Sequence, residues 1–170
     1  MDLKLKGKTA LITGSTAGIG FGIAHRLLQE GASVIINGRT ETRINSALNQ
    51  LRQDIPDCIV QGCAADFADA AAVQRLLGTH DAVDILINNV GIFEQKPFTE
   101  IKDEEWLHFF EVNVLSGVRL SRHYLPQMLE QNWGRIIFIS SESGIQIPAE
   151  MVHYGTTKTA QLGVSRGLAQ

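Results

Sequence analysis

The chain has 170 residues, of which 44% are hydrophobic and 19% charged, with a net charge of −3 at pH 7. Its length sets a single globular domain able to bury a core, and its charge gives no long-range attraction to nucleic acid or an anionic membrane surface. No apolar run approaches the roughly 20 residues that a membrane span needs, and no apolar signal core follows the basic N-terminus. A cytoplasmic protein with neither nucleic-acid nor membrane partners is expected. Cys58 and Cys63 read as buried free thiols, and the five histidines form no metal-ligand spacing, so no metal is expected.

Strand-like and helix-like segments alternate from end to end. The first strand candidate, 8–13, runs into Thr13-Gly14-Ser15-Thr16-Ala17-Gly18-Ile19-Gly20 and then into apolar positions at helical spacing over 18–30. Strand, glycine turn, helix is the geometry that aims free backbone N–H groups and the positive end of a helix dipole at a phosphate. Gly14 suits the sharp exit from the strand, Gly18 leaves no Cβ between backbone and ligand, and Gly20 lets the helix lie close on the sheet. Gly14, Ser15, Thr16, Gly18, Ile19 and Gly20 are therefore candidate cofactor contacts.

A second strand at 33–37 precedes a helix at 41–53, a third at 58–62 precedes one at 69–78, and a fourth at 83–88 precedes a long helical pattern at 103–130. A fifth strand, 135–141, leads to a last helix beginning near Met151. Gly31 and Gly78 stand where helices should stop, and Thr40 and Asp103 where they should start. Each strand is apolar on both faces, as a covered parallel sheet requires. Right-handed crossovers then predict an α/β doubly wound parallel sheet, a Rossmann fold of strand order 3-2-1-4-5. Its ligand crevice lies at the carboxyl ends beside strand 1, where Gly14, Asn88 and Ser141 fall.

The turn lacks the Gly-Lys-Ser/Thr ending of a P-loop, which excludes a P-loop phosphotransferase. At the end of strand 2, where NAD sites place a carboxylate for the ribose 2′-OH, the chain has Asn37-Gly38-Arg39-Thr40. Arg39 suits a 2′-phosphate through a charge-assisted contact, so NADP is preferred over NAD; a solvated loop arginine is the alternative. Tyr154-Gly155-Thr156-Thr157-Lys158 opens the last helix, and residues four apart share a helical face, which brings the lysine ammonium near the phenol. A nearby ammonium and an oxidised nicotinamide both favour a phenolate, the form that acid–base work near neutrality draws on.

Thr13-Gly-x-x-x-Gly-x-Gly20, Asn88-Asn-x-Gly91, Asn113, Ser141 and Tyr154-x-x-x-Lys158 occur in that order. In this ordered set the chain resembles the short-chain dehydrogenase/reductase family, from near Leu5 to Gln170. The resemblance implies an NADP(H)-dependent oxidoreductase acting on a small-molecule alcohol or carbonyl. Tyr154 would exchange the proton with the substrate oxygen, Ser141 would hold and polarise that oxygen, and Lys158 would bind the nicotinamide ribose and tune Tyr154. Asn113 would disturb its helix locally and position a water leading to Lys158. Asp66 would accept from the adenine amino group, with Phe67 and Gly91 also at the cofactor, and Asn88 would pin the central strands nearby.

Departures from the family pattern also carry expectations. Val90 stands where alanine is usual, and Ala17 where many NADP-using members are basic, which leaves Arg39 to read the 2′-phosphate alone. Glu142, after the serine, is read as solvent-facing, and His153, beside Tyr154, as structural. By analogy with the family, helices 103–130 and 151–170 would build a homodimer or homotetramer, with Leu115, Val118, Tyr124, Leu162 and Val164 on the apolar face. Family members continue with a sixth strand, a Pro-Gly turn at the nicotinamide, a substrate loop and a seventh strand. One NAD(P)-binding domain over 1–170, incomplete at its C-terminus, is therefore expected. The competing expectation is a catalytically silent NADP-binding module or oligomerisation partner.

Overall fold

A computed structural model describes residues 3–170. Short runs rich in Val, Ile and Leu pair into one all-parallel sheet: β1 (Thr9–Ile12), β2 (Ser33–Gly38), β3 (Val60–Ala64), β4 (Ile85–Asn88) and β5 (Arg135–Phe138). The spatial order is β3-β2-β1-β4-β5, the order expected from the alternation of elements. The helices are α1 (Gly18–Gln29), α2 (Glu41–Asp54), α3 (Ala70–Thr79), α4 (Asp103–Phe110), α5 (Ser116–Glu130) and α6 (Val152–Leu168).

Strand periodicity of two sorts these helices into layers. Ala10 and Ile12 of β1, with Val34 and Ile36 of β2, pack against Ala24 and Leu28 of α1 and Ile44, Leu48 and Leu51 of α2. Leu11, Ile35 and Leu86 face the other way, onto Val73 and Leu76 of α3 and Leu120, Tyr124 and Met128 of α5. Fully buried side chains such as Leu11, Ile12, Ile36 and Leu86 stabilise the fold by about 1.5–3 kcal/mol each. Among the described residues no helix is long and apolar enough to cross a membrane.

Local signals set the helix ends. Gly31 has φ +85°, and the amides of Gly31 and Ala32 return to the carbonyls of Leu28 (3.0 Å) and Leu27 (3.1 Å), a Schellman close to α1. Thr40 Oγ1 accepts from the Arg43 amide (3.4 Å) and caps α2. Asp103 is the first residue of α4, as expected, whereas α3 passes Gly78 to end at Thr79.

The sheet edges differ from the expectation of strands apolar on both faces. In β3, Gln61, Gly62 and Ala64 are exposed, and in β5 Arg135 and Ile137 are exposed. Only β1, β2 and β4 have neighbours on both sides, so only they need apolar residues throughout. Strand 3 begins at Val60, after a chain reversal at Asp57 (φ +67°), which leaves Cys58 outside it. Both cysteines are free, as expected, but half-buried rather than buried. Tyr124 also departs from its expected place on an association face. It is fully buried, and its hydroxyl donates to the His80 carbonyl at 2.7 Å.

Candidate active site

The carboxyl end of β1 is joined to its neighbours on both sides by side chains. Thr13 Oγ1 donates to the Ile87 carbonyl (3.3 Å) and accepts from the amides of Asn89 (2.8 Å) and Val90 (2.9 Å). Asn89 Nδ2 donates in return to the carbonyls of Thr13 (2.9 Å) and Gly14 (3.0 Å). On the opposite side Asn37 Oδ1 accepts from the Gly14 amide (3.0 Å), while its Nδ2 donates to the carbonyls of Cys63 (3.1 Å) and Ala65 (3.2 Å). Four strand ends are thus fixed around one turn, which Gly14 enters with φ +60°.

This wiring reassigns two sequence candidates. Ser15 is fully buried; its amide donates to the Asn37 carbonyl (2.8 Å) and its hydroxyl to the Ile12 carbonyl (2.6 Å), so it builds the turn. Asn88 is turned toward α5, where Nδ2 donates to Ser121 Oγ (3.4 Å) and Oδ1 has no partner among the described residues. The tie between central strands falls to Asn89 instead. The donors left for a phosphate are the first-turn amides of α1 at Gly18, Ile19 and Gly20, which have no intrahelical acceptor and lie at the positive end of the helix dipole. A Cβ on Gly20 would lie 2.6 Å from Asn89 Nδ2, 2.7 Å from the Gly14 carbonyl oxygen and 2.9 Å from Ser15 Cα. Gly20 therefore permits close approach of α1 to the turn rather than to the sheet.

Gly14, Thr16, Arg39, Arg43, Asp66 and Gly91 are among the residues lining a cavity of about 300 Å³ beside this turn. Arg39 and Arg43 are both exposed, so Arg39 is not alone as a cation on that wall. Asp66 is exposed and uses Oδ1 to accept from the Ala68 amide (3.0 Å). Phe67 borders the cavity but is 2% exposed, packed in the core above α3. Val90 fills the space beside Gly14, whose missing Cβ would stand 3.3 Å from its methyl group.

At the other end of the crevice the expected helix over 103–130 is interrupted by a π turn at Glu111–Leu115 centred on Asn113. The Asn113 side chain engages Ile92 twice, accepting from its amide (2.8 Å) and donating to its carbonyl (2.9 Å), and donates again to Thr157 Oγ1 (3.0 Å). Lys158 is 4% exposed; its Nζ donates to the Ile139 carbonyl (2.9 Å) and to Gln161 Oε1 (3.3 Å) and stands 5.7 Å from the Tyr154 ring centroid. Burial pushes its pKa down from 10.5 to about 8. Gln161 Nε2 then donates to the Asn113 carbonyl (2.6 Å), so the link between Asn113 and Lys158 runs through a side chain.

Tyr154 is half-buried, with Phe93 edge-on at 6.2 Å. Ser141 starts the short turn Glu142–Gly144, and its Oγ accepts from the Ser143 amide (3.2 Å). That turn packs on α6, since a Cβ on Gly155 would come within 2.8 Å of the Ser143 carbonyl oxygen. Glu142 is exposed, as expected. The structure thus gathers Gly91, Asn113, Tyr154 and Lys158 around one end of the crevice, with Gly14, Thr16, Arg39 and Asp66 at the other.

His153 points away from Tyr154. Its ring is fully buried against Phe109 (centroids 4.1 Å) and Trp106 (6.1 Å), and neither nitrogen has a hydrogen-bond partner among the described residues. Burial lowers its pKa below 6.5; Glu94, 3.9 Å from Nε2, and Glu105 pull the other way, and Lys96 adds to the lowering. The unfolded chain therefore takes up this proton at higher pH than the folded one. Stability from burying the neutral ring is complete above pH 6.5 and is lost as the pH falls below it. Thermal melts from neutral pH to about pH 5 should show a steeper loss for the wild type than for His153→Leu; parallel pH slopes would exclude this role.

The chain matches the family model for short chain dehydrogenase over residues 8–170. It is 49% identical over 170 residues to the uncharacterized oxidoreductase YvaG of Bacillus subtilis (strain 168), covering 100% of this chain and 64% of that protein. L-sorbose reductase from Gluconobacter frateurii, solved with NADPH and L-sorbose, is 32% identical with a TM-score of 0.92, over 99% of this chain and 65% of that one. The 3-oxoacyl (acyl-carrier-protein) reductase of Agrobacterium tumefaciens C58, solved with NADP bound, is 29% identical with a TM-score of 0.86, over 94% of this chain and 62% of that one. This chain therefore spans less than two thirds of each of these relatives.

Proposed function

This chain belongs to the short-chain dehydrogenase family, and on that premise we propose that it carries the NADP(H) site and the proton-transfer residues of an oxidoreductase acting on a small alcohol or carbonyl compound. The observation that carries the reading is the Tyr154–Lys158 pair on α6, with the buried ammonium 5.7 Å from the phenol ring at the crevice. The residues fit a dinucleotide phosphate. A Cβ on Gly18 would meet no described atom within 4 Å, the first-turn amides of α1 have no intrahelical acceptor, and Arg39 and Arg43 stand on the wall where a 2′-phosphate would need cations.

When bound, held by the first-turn amides of α1 and by Arg39 and Arg43, NADPH would supply a hydride to the carbonyl carbon. Tyr154 gives its hydroxyl proton to the substrate oxygen, and Lys158 stabilises the phenolate left behind. Ser141 Oγ already accepts from Ser143, which leaves its O–H free to donate to that oxygen. In the alcohol-oxidising direction Tyr154 takes the proton back. The NADPH and NADP seen in two relatives of the same fold support this choice of cofactor. Assembly as a homodimer or homotetramer would use α4, α5, the π turn between them and α6, where Leu115 of the π turn is exposed and Val118, Leu162 and Val164 are partly so.

Fluorescence titration should give tighter binding for NADPH than for NADH. Each charge-assisted phosphate contact contributes about 1.5 kcal/mol at an exposed site, so Arg39→Ala and Arg43→Ala should each cost about tenfold in NADPH affinity and leave NADH nearly unaffected. NADH binding as tightly as NADPH would sink the cofactor assignment. A panel of ketones, keto sugars and aldehydes should then reveal NADPH consumption. Tight NADPH binding without turnover of any of them would favour a silent binding module.

A further inference from the structure

Tyr154, Lys158 and Gln161 follow one another at i, i+4 and i+7 on α6 and so share one helical face. Gln161 is 2% exposed and sits between the ammonium and the π turn: Oε1 accepts from Lys158 Nζ at 3.3 Å, and Nε2 donates to the Asn113 carbonyl at 2.6 Å. The Asn113 carbonyl, inside the π turn, takes its donor from α6. The ammonium needs an acceptor. A primary amide meets both demands with one side chain, whereas a carboxylate lacks the donor and an aliphatic chain lacks both.

We propose that Gln161 is a positioning residue that clamps the Lys158 ammonium for Tyr154; this deepens the hydride-transfer reading and rests on it. Lys158 Nζ has three N–H bonds, of which the Ile139 carbonyl takes one and Gln161 a second. Fixing two bonds on a tetrahedral nitrogen fixes the third. It is left for the side where the Tyr154 ring lies and where Gly91 has no Cβ to cover Nζ. Both fixed acceptors are neutral, and among the described residues the titratable group beside Nζ is Tyr154, its ring centroid 5.7 Å away. The charge and number of these acceptors therefore set how readily Lys158 holds its proton, which burial already makes labile near pH 8.

The test is an NMR titration of the 170-residue chain carrying lysine labelled at 13Cε, with Lys158→Met assigning the resonance. Gln161→Glu puts a carboxylate where the neutral acceptor stood and should raise the Lys158 midpoint by about one pH unit or more. Gln161→Leu removes an acceptor and should lower the midpoint, and it also removes the bond to the Asn113 carbonyl. A merely structural role for Gln161 would reduce thermal stability in both variants and leave the midpoint at its wild-type value, and that result overturns the proposal. If Gln161→Leu does not fold, the presence or absence of the upward shift in Gln161→Glu decides alone. The readout needs neither cofactor nor substrate. A shifted midpoint in a chain that fails to bind NADPH would refute the reductase reading and retain the clamp; an unshifted midpoint in an active reductase would do the reverse.

Discussion

Tyr154→Phe is expected to lower kcat for carbonyl reduction by about 10³-fold, within the range that a positioned general acid contributes, with NADPH affinity nearly unchanged. The substitution deletes one hydroxyl and keeps the ring, so the edge-on contact with Phe93 at 6.2 Å survives. Lys158 is held by the Ile139 carbonyl and Gln161, neither of which depends on the phenol, so the ammonium stays in place. What disappears is the proton that must reach the substrate oxygen as negative charge develops there. A KM close to the wild-type value with a collapsed kcat would mark a group that acts in the transition state rather than in binding. Steady-state NADPH oxidation with any substrate found in the carbonyl panel measures it. Activity within tenfold of the wild type would move the acid role to another donor, of which Ser141 and bulk water are the nearest in kind.

The fold was legible because its signals are redundant. Five apolar segments, capping residues such as Thr40 and stop signals such as Gly31 point to one topology, so moving the start of β3 from residue 58 to Val60 changed nothing downstream. The Tyr-x-x-x-Lys spacing was legible for a similar reason, since α-helical geometry alone brings i and i+4 together. The tie between central strands was not assigned correctly, although the signal was present. Leu86 faces α5, and a period of two sends Asn88 the same way, leaving Asn89, the first residue past the strand, free to reach Thr13 and Gly14. Asn37 and Ser15 were missed as a turn-building pair because the contact joins residues 22 apart across two strands, and no local pattern marks it. Gln161 was one helical turn from a residue already singled out, but nothing in its own neighbourhood says that the Asn113 carbonyl, 48 residues away, lies within its reach. Edge exposure in β3 and β5 follows from strand position in the sheet, which the order 3-2-1-4-5 already implied, rather than from strand composition.

Gly20→Ala should damage both stability and cofactor binding, and Gly22→Ala should damage neither, although the two glycines lie two residues apart on α1. At Gly20 the added methyl would meet the Gly14 carbonyl oxygen at 2.7 Å and Ser15 Cα at 2.9 Å, both backbone atoms, as well as Asn89 Nδ2 at 2.6 Å. Backbone cannot swing aside as a side chain can, so α1 must back away from the turn or the turn must open. Either movement strains the bonds from Asn89 to the Thr13 and Gly14 carbonyls that hold β4 against β1. Overpacking of this kind costs about 1–3 kcal/mol, which for a chain of this size lowers Tm by roughly 2–12 °C. Displacing two of the first-turn amides from a bound phosphate costs about 3 kcal/mol more in the complex, so NADPH affinity should fall about 100-fold. At Gly22 the methyl meets no atom within 4 Å in an exposed helical position, and the lower backbone entropy of alanine should stabilise the chain by about 0.5–1 kcal/mol. Calorimetry and NADPH fluorescence titration of the two variants separate steric pressure on the turn from a general effect of adding a methyl group to α1. Wild-type NADPH affinity in Gly20→Ala would mean that the phosphate is held elsewhere in the crevice, with the two arginines as the place to look.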